Sequence, residues 1–110
     1  MLDKLQEVES RFRELTRLLM DPGVVTDRHA YREYTKEHAN LEPVVKCYQE
    51  YQRVTRELQE SKELLEQEKD DELRAMAQAE IQKLSEEKER LYGELMILLL
   101  PKDPNDEKSI

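Results

Sequence analysis

From Tyr31 to Leu65 the chain keeps one apolar edge: Tyr31, Tyr34, His38, Leu41, Val45, Tyr48, Tyr51, Val54, Leu58 and Leu65 recur at steps of three, four or seven. Only a helix returns residues so spaced to one side. A stripe that holds to about residue 68 implies a rod of about 60 Å at about 1.5 Å per residue. A long helix with one apolar edge cannot bury that edge alone, so the chain must supply partner helices. Two further stripes provide them. Leu5, Val8, Phe12, Leu15 and Leu19 predict a first helix over about residues 2–20, and Leu73, Ala77, Ile81, Leu84, Leu91, Leu95 and Leu98 predict a third to about residue 99, with Lys88 as the one charged interruption.

The breaks between stripes carry helix punctuation. Pro22 restricts Asp21 to extended geometry and Gly23 offers a turn, so Asp21-Pro22-Gly23 reads as a loop. Thr26 or Asp27 can cap the second helix and Asp70 or Asp71 the third. Between Leu65 and Leu73 no apolar residue occurs, which places a hairpin tip there. Pro43 interrupts the long stripe, at a cost of about 3 kcal/mol for the lost bond to the Ala39 carbonyl. Either Asn40 re-caps a fresh helix with Pro43 in its first turn, or the rod is kinked; the stripe keeps its phase, which favours the kink. Gly93, inside the third helix, would let another backbone approach closely. The economical arrangement is all-α: a three-helix bundle in which helices two and three form a long antiparallel coiled-coil hairpin and a shorter first helix lies along its base. Residues 1–100 read as this helical domain and 101–110 as a linker toward a downstream domain.

Composition agrees. Of 110 residues 40% are charged and 37% apolar, with no Trp, one Phe and two Gly. Such a chain lacks material for tight β-turns but suits long helices with a narrow seam. The net charge of −8 argues against a nucleic-acid coat, so no independent sequence-specific nucleic-acid binding is expected, and a protein partner is favoured. No signal-type run opens the sequence and no stretch nears the roughly 18 apolar residues that span a bilayer, so the expectation is a cytoplasmic protein without membrane contact. Cys47 is the single cysteine, which excludes an intrachain disulfide.

Catalytic and metal chemistry find no foothold. His29 and His38 are nine residues apart, about 180° on one helix, as are His38 and Cys47, and Thr26 and Thr35 stand where a di-iron bundle places Glu. Nothing beside Cys47 supplies a base. No cofactor is expected, and no enzymatic activity. Tyr31, Tyr34, Tyr48 and Tyr51 read as seam residues with hydroxyls at the edge, in preference to a base-stacking platform. Arg11, Arg13 and Arg17 are the local concentration of positive charge and the candidate contact for an anionic partner. Residues 96–100, MILLL, are apolar on every side of a helix. Met96, Ile97, Leu99 and Leu100 are therefore candidates for docking onto another domain, the alternative being a plug within this one.

Three stretches carry a family likeness: LLMDPGVVTD at the first break, YREYTKEHANLEPVVKCYQEY in the long helix and LLLPKDPNDEKS at the end. In these the chain resembles the amino-terminal domain of bacterial class I peptide chain release factors, of the kind that reads UAA and UAG. The resemblance implies an all-helical accessory domain that contacts the ribosome at its stalk-base region, with functional interplay with the GTPase release factor. Stop-codon reading and peptidyl-tRNA hydrolysis belong in that family to a tripeptide motif and a Gly-Gly-Gln loop. Neither occurs here, because Gly23 and Gly93 are the only glycines. The stripes alone also fit a free-standing coiled-coil adaptor or homodimer, and, less well given the acidity, a helical RNA-binding arm.

Overall fold

A computed structural model of the protein describes residues 2–101; the linker read at 101–110 lies, but for Pro101, outside them. The described residues form α1 (Leu2–Leu18), α2 (Pro22–Val25), α3 (Arg28–Gln67) and α4 (Asp71–Leu98) and contain no strand. The all-α architecture and the long helical hairpin are as the periodicity predicts.

Caps explain where the helices start. Asp27 accepts a bond from the Ala30 amide at 3.2 Å to open α3, and Asp70 accepts from the Glu72 amide at 2.9 Å to open α4. Each carboxylate satisfies an N–H that the first helical turn leaves free. At the tip Arg74 of α4 donates to the carbonyls of Leu65 and Glu68 at 2.6 and 2.8 Å, closing the last turn of α3 with a cation.

Two expectations are corrected, and the alternatives at Pro43 are decided between. Asp21-Pro22-Gly23 is not a plain loop: Asp21 caps the Gly23 amide at 2.8 Å, Pro22 occupies the first helical position and the segment makes the single turn α2. Gly23 has no positive φ, so its turn does not depend on left-handed backbone. Gly93 has nothing within 4 Å of where a Cβ would stand, so no backbone approaches it. At Pro43, α3 continues unbroken from Arg28 to Gln67, and a fresh start at Asn40 is not realised.

Contacts fix the order of packing. Arg74 meets Leu65, Arg53 meets Glu87 and Cys47 meets Leu91, so α4 numbers fall as α3 numbers rise and the pair is antiparallel. On the other part of α3, Arg11 meets Glu37 and Phe12 meets His38, while Leu5 joins the cluster that contains Val44. α1 is thus also antiparallel to α3, but against its first half. α3 is a shared spine of 40 residues, matching a molecule 62 Å long. The three long helices coincide only where α1 begins and α4 ends. There Leu5, Val44, Cys47, Tyr48, Leu91 and Leu95 are buried together, with Val8 and Leu99 packed on their edge.

The end of the α4 seam differs from its predicted course. Leu95 is fully buried, but Leu98 is exposed, and Leu99 turns toward the core instead. Leu95→Ala is expected to destabilise the chain by about 2–5 kcal/mol and Leu98→Ala by less than about 1 kcal/mol in urea unfolding. Equal losses would contradict this register.

Candidate functional site

Polar groups inside the rod serve packing. Cys47 is buried, its Sγ 3.8 Å from the Leu91 carbonyl oxygen and 3.7 Å from Glu94 Oε2. Burial, and secondarily the negative charge of Glu94, push its thiol up, so it stays protonated and a poor nucleophile. His38 stacks on Phe12 at 4.2 Å between centroids, with Nε2 at 2.9 Å from Thr16 Oγ1. Tyr48 is buried, and Tyr51 lies half-buried with the Lys88 ammonium 5.8 Å above its ring, which accommodates the one cation of the α4 seam. These tyrosines sit in the seam; Tyr31 is exposed at its beginning. A groove of about 760 Å3 follows α3 past Leu2, lined by Tyr51, Thr55 and Lys88, with Thr55 Oγ1 unpartnered within it.

The three α1 arginines do not converge. Arg11 faces α3, where its guanidinium donates to both oxygens of Glu37 at 2.7 and 2.8 Å and also meets Glu14 at 2.6 Å and the Tyr34 ring. Arg13, two residues on and so about 200° around the helix, points to solvent and pairs with Glu9 at 3.1 Å. Arg17 is exposed in the last turn of α1, where a cation complements the helix dipole. Only Arg13 and Arg17 share a face. Sequence reading missed a longer cationic row: Arg28, Arg32 and Lys36 on α3 are four apart, exposed, and in no ion pair among the described residues. The spacing of four was its available signal.

The apolar end of α4 is divided. Met96, Ile97 and Leu100 are 46%, 68% and 64% exposed, whereas Leu99 packs partly into the core. Tyr92, four before Met96, is 45% exposed and extends the same face, and Gly93, four before Ile97, leaves it flat. Exposed apolar residues gathered on two helical turns are what an interface presents. A second group lies at the far end of the rod, where Leu64, Leu73 and Met76 are 52%, 45% and 64% exposed. No helix among the described residues is long and apolar enough to cross a membrane.

The Arg11–Glu37 pair ties α1 to α3. The Arg11 guanidinium holds the Glu37 carboxyl below its ordinary value near 4.5. A lowered folded pKa stabilises the fold above the unfolded value, and that contribution is lost as pH falls through the folded one. A double-mutant cycle with Arg11→Ala and Glu37→Ala is expected to give a coupling of about 0.2–1 kcal/mol at pH 7, typical of half-exposed pairs, that disappears below the carboxylate range. Coupling that persists in strong acid would contradict the pairing.

Comparison with known proteins places this geometry. The PCRF domain family matches residues 8–110. Proteins named Peptide chain release factor 1 match the whole chain: 48% identity in Oceanobacillus iheyensis, 48% in Geobacillus kaustophilus and 44% in Clostridioides difficile. In each the match covers 100% of this chain and 31% of the relative, so the chain spans about a third of the length of the curated relatives it matches. No solved structure matches it.

Proposed function

The chain belongs to the PCRF domain family, and on that premise we propose that it is the helical amino-terminal domain of a translation termination factor, a rigid module that adds ribosome contact to a catalytic body it does not itself contain. The whole-chain match to release factors, on a chain a third of their length, carries this reading. The ribosome is the partner, contacted in the stalk-base region, and the domain takes part in the interplay with the GTPase release factor. Hydrolysis of peptidyl-tRNA is the work of the complete factor; this chain, whose only glycines are Gly23 and Gly93, has no Gly-Gly-Gln element. It acts in the cytoplasm.

The face formed by Met96, Ile97 and Leu100, with Tyr92 and the outer edge of Leu99, is the one by which the domain docks on the rest of the factor. Support comes from the exposure of these residues in the last turns before the chain continues into Pro101. The exposed Arg13 and Arg17 contribute long-range attraction to the anionic ribosome, whereas Arg11 holds α1 to α3.

Ile97→Ser with Leu100→Ser is expected to change the stability of this chain by under about 1 kcal/mol while loosening the domain in a full-length factor, seen as a separate, earlier thermal transition. A loss of several kcal/mol in the chain alone would place these residues in its own core. The function is tested by comparing a full-length factor with one lacking residues 2–101 on stop-codon-programmed ribosomes. Deletion should weaken binding about tenfold, about 1.4 kcal/mol, and leave peptide release at saturating factor. Unchanged affinity, or codon-dependent release by this chain alone, would overturn the proposal.

A further inference from the structure

The first half of α3 carries, on the side away from α1, a ridge that packing does not use. Arg28, Arg32, Lys36 and Asn40 recur at steps of four and are all exposed, so they line one side of the helix at intervals of about 6 Å. Arg32 stands about 160° round the helix from Tyr34 and about 120° from His38, the residues that Arg11 and Phe12 of α1 cover. α4 does not reach the ridge either. With Cys47 against Leu91 and Arg53 against Glu87, α4 ends at about the level of Leu41.

Charge and composition set this ridge apart. In a chain of net −8, Arg28, Arg32 and Lys36 make no ion pair among the described residues. Of the carboxylates on the same stretch of α3, Glu37 is held by Arg11 on the α1 side and Glu33 lies on the neighbouring ridge, about 100° from Arg32. α3 opens with Arg28 and has no acidic side chain in its first turn, although the positive end of the helix dipole disfavours a cation there. An anionic partner would offset that repulsion. From Arg28 to Asn40, Tyr31 at the edge of the ridge is the one large apolar side chain that is exposed among the described residues. A protein interface needs an apolar centre, which the ridge lacks; exposed cations with small polar neighbours such as Thr35 suit phosphate.

We propose that the ridge of Arg28, Arg32, Lys36 and Asn40 seats the phosphate backbone of RNA on the ribosome, by charge and spacing and without reading base sequence. The inference rests on the ribosome-contacting reading above and deepens it by naming a face of the domain and the class of component that it meets. Each guanidinium donates two bonds to one phosphate, Lys36 supplies a point charge and the Asn40 amide a neutral donor. Release of counterions from three phosphates makes such a contact weaken with salt. The acidity of the rest of the chain keeps the ridge from holding RNA alone. The contact forms when the other parts of a full-length factor bring the ridge to the ribosome.

Salt dependence and crosslinking test the contact. In a full-length factor, Arg28→Gln, Arg32→Gln and Lys36→Gln together should weaken binding to stop-codon-programmed ribosomes about tenfold at low salt and far less at high salt, lowering the slope of log affinity against log salt by about two to three. Peptide release at saturating factor and the helical circular dichroism signal should match the parent. A factor carrying a photoreactive phenylalanine in place of Ala39, which is exposed and one turn past Lys36, should crosslink to ribosomal RNA on irradiation. An unchanged salt slope, or crosslinks to protein alone or to nothing, while removal of residues 2–101 still weakens binding, would overturn this inference and leave the domain's role standing. If removal of residues 2–101 has no effect on binding, both fall.

Discussion

Everything in the molecule hangs on α3 carrying two apolar stripes at once. Tyr34, His38 and Leu41 serve α1 along the first half, and Cys47, Tyr51, Val54 and Leu58 serve α4 along the second. The stripes overlap between Val44 and Tyr48, where Leu5 of α1 and Leu91 and Leu95 of α4 join one cluster. Full burial extends beyond that stretch: Leu5 and Leu95 are enclosed there and Leu15 and Val54 on either side of it, while Leu64 and Leu73 near the tip are half open. A helix of 40 residues with polar flanks could not persist on propensity alone, so the two packed partners are what hold it together. The same packing sustains Pro43 in mid-helix, where the local cost of about 3 kcal/mol is outweighed by burial of Val44, Val45, Cys47 and Tyr48 immediately beyond it.

Electrostatics distinguish the two ends of the rod. Interior polarity is minimal, since no polar or charged residue among the described residues is fully buried. Most ion pairs run along single helices three or four apart and add little individually, and Arg11–Glu37 and Arg53–Glu87 cross between helices. The charge that remains is sorted by position, negative toward the hairpin tip and positive around α2. Apolar surface is left open at two separate places, the last turns of α4 and the hairpin tip.

Much of this was legible in the residues. The stripes at threes and fours fixed three long helices, Asp27 and Asp70 announced their caps, and DDEL marked the tip. The departures share a cause in packing that sequence does not display. Val44 was not placed on the seam because a stripe serving one partner is narrower than one serving two in succession. Leu98 is exposed and Leu99 packs against the core cluster, so the buried edge steps from Leu95 by four residues where the sequence pattern steps by three. α2 is a single turn, too short for periodicity, and its only signal was Asp before Pro. Exposed apolar residues such as Tyr92 and Met76 lie off the seam, where an isolated apolar residue looks ordinary until the fold gathers it with others. Arg11 was read with Arg13 and Arg17 because linear proximity hides the turn of the helix that sends it to Glu37.

Native-state hydrogen exchange reads the central overlap directly. If α3 is clamped where both partners meet, the amides of Val44 to Tyr48, with those of Leu91 to Leu95, should exchange slowest and only through global unfolding, with protection declining toward both ends of α3. Slowest exchange at the hairpin tip, or uniform protection along α3, would contradict a spine fastened at its middle.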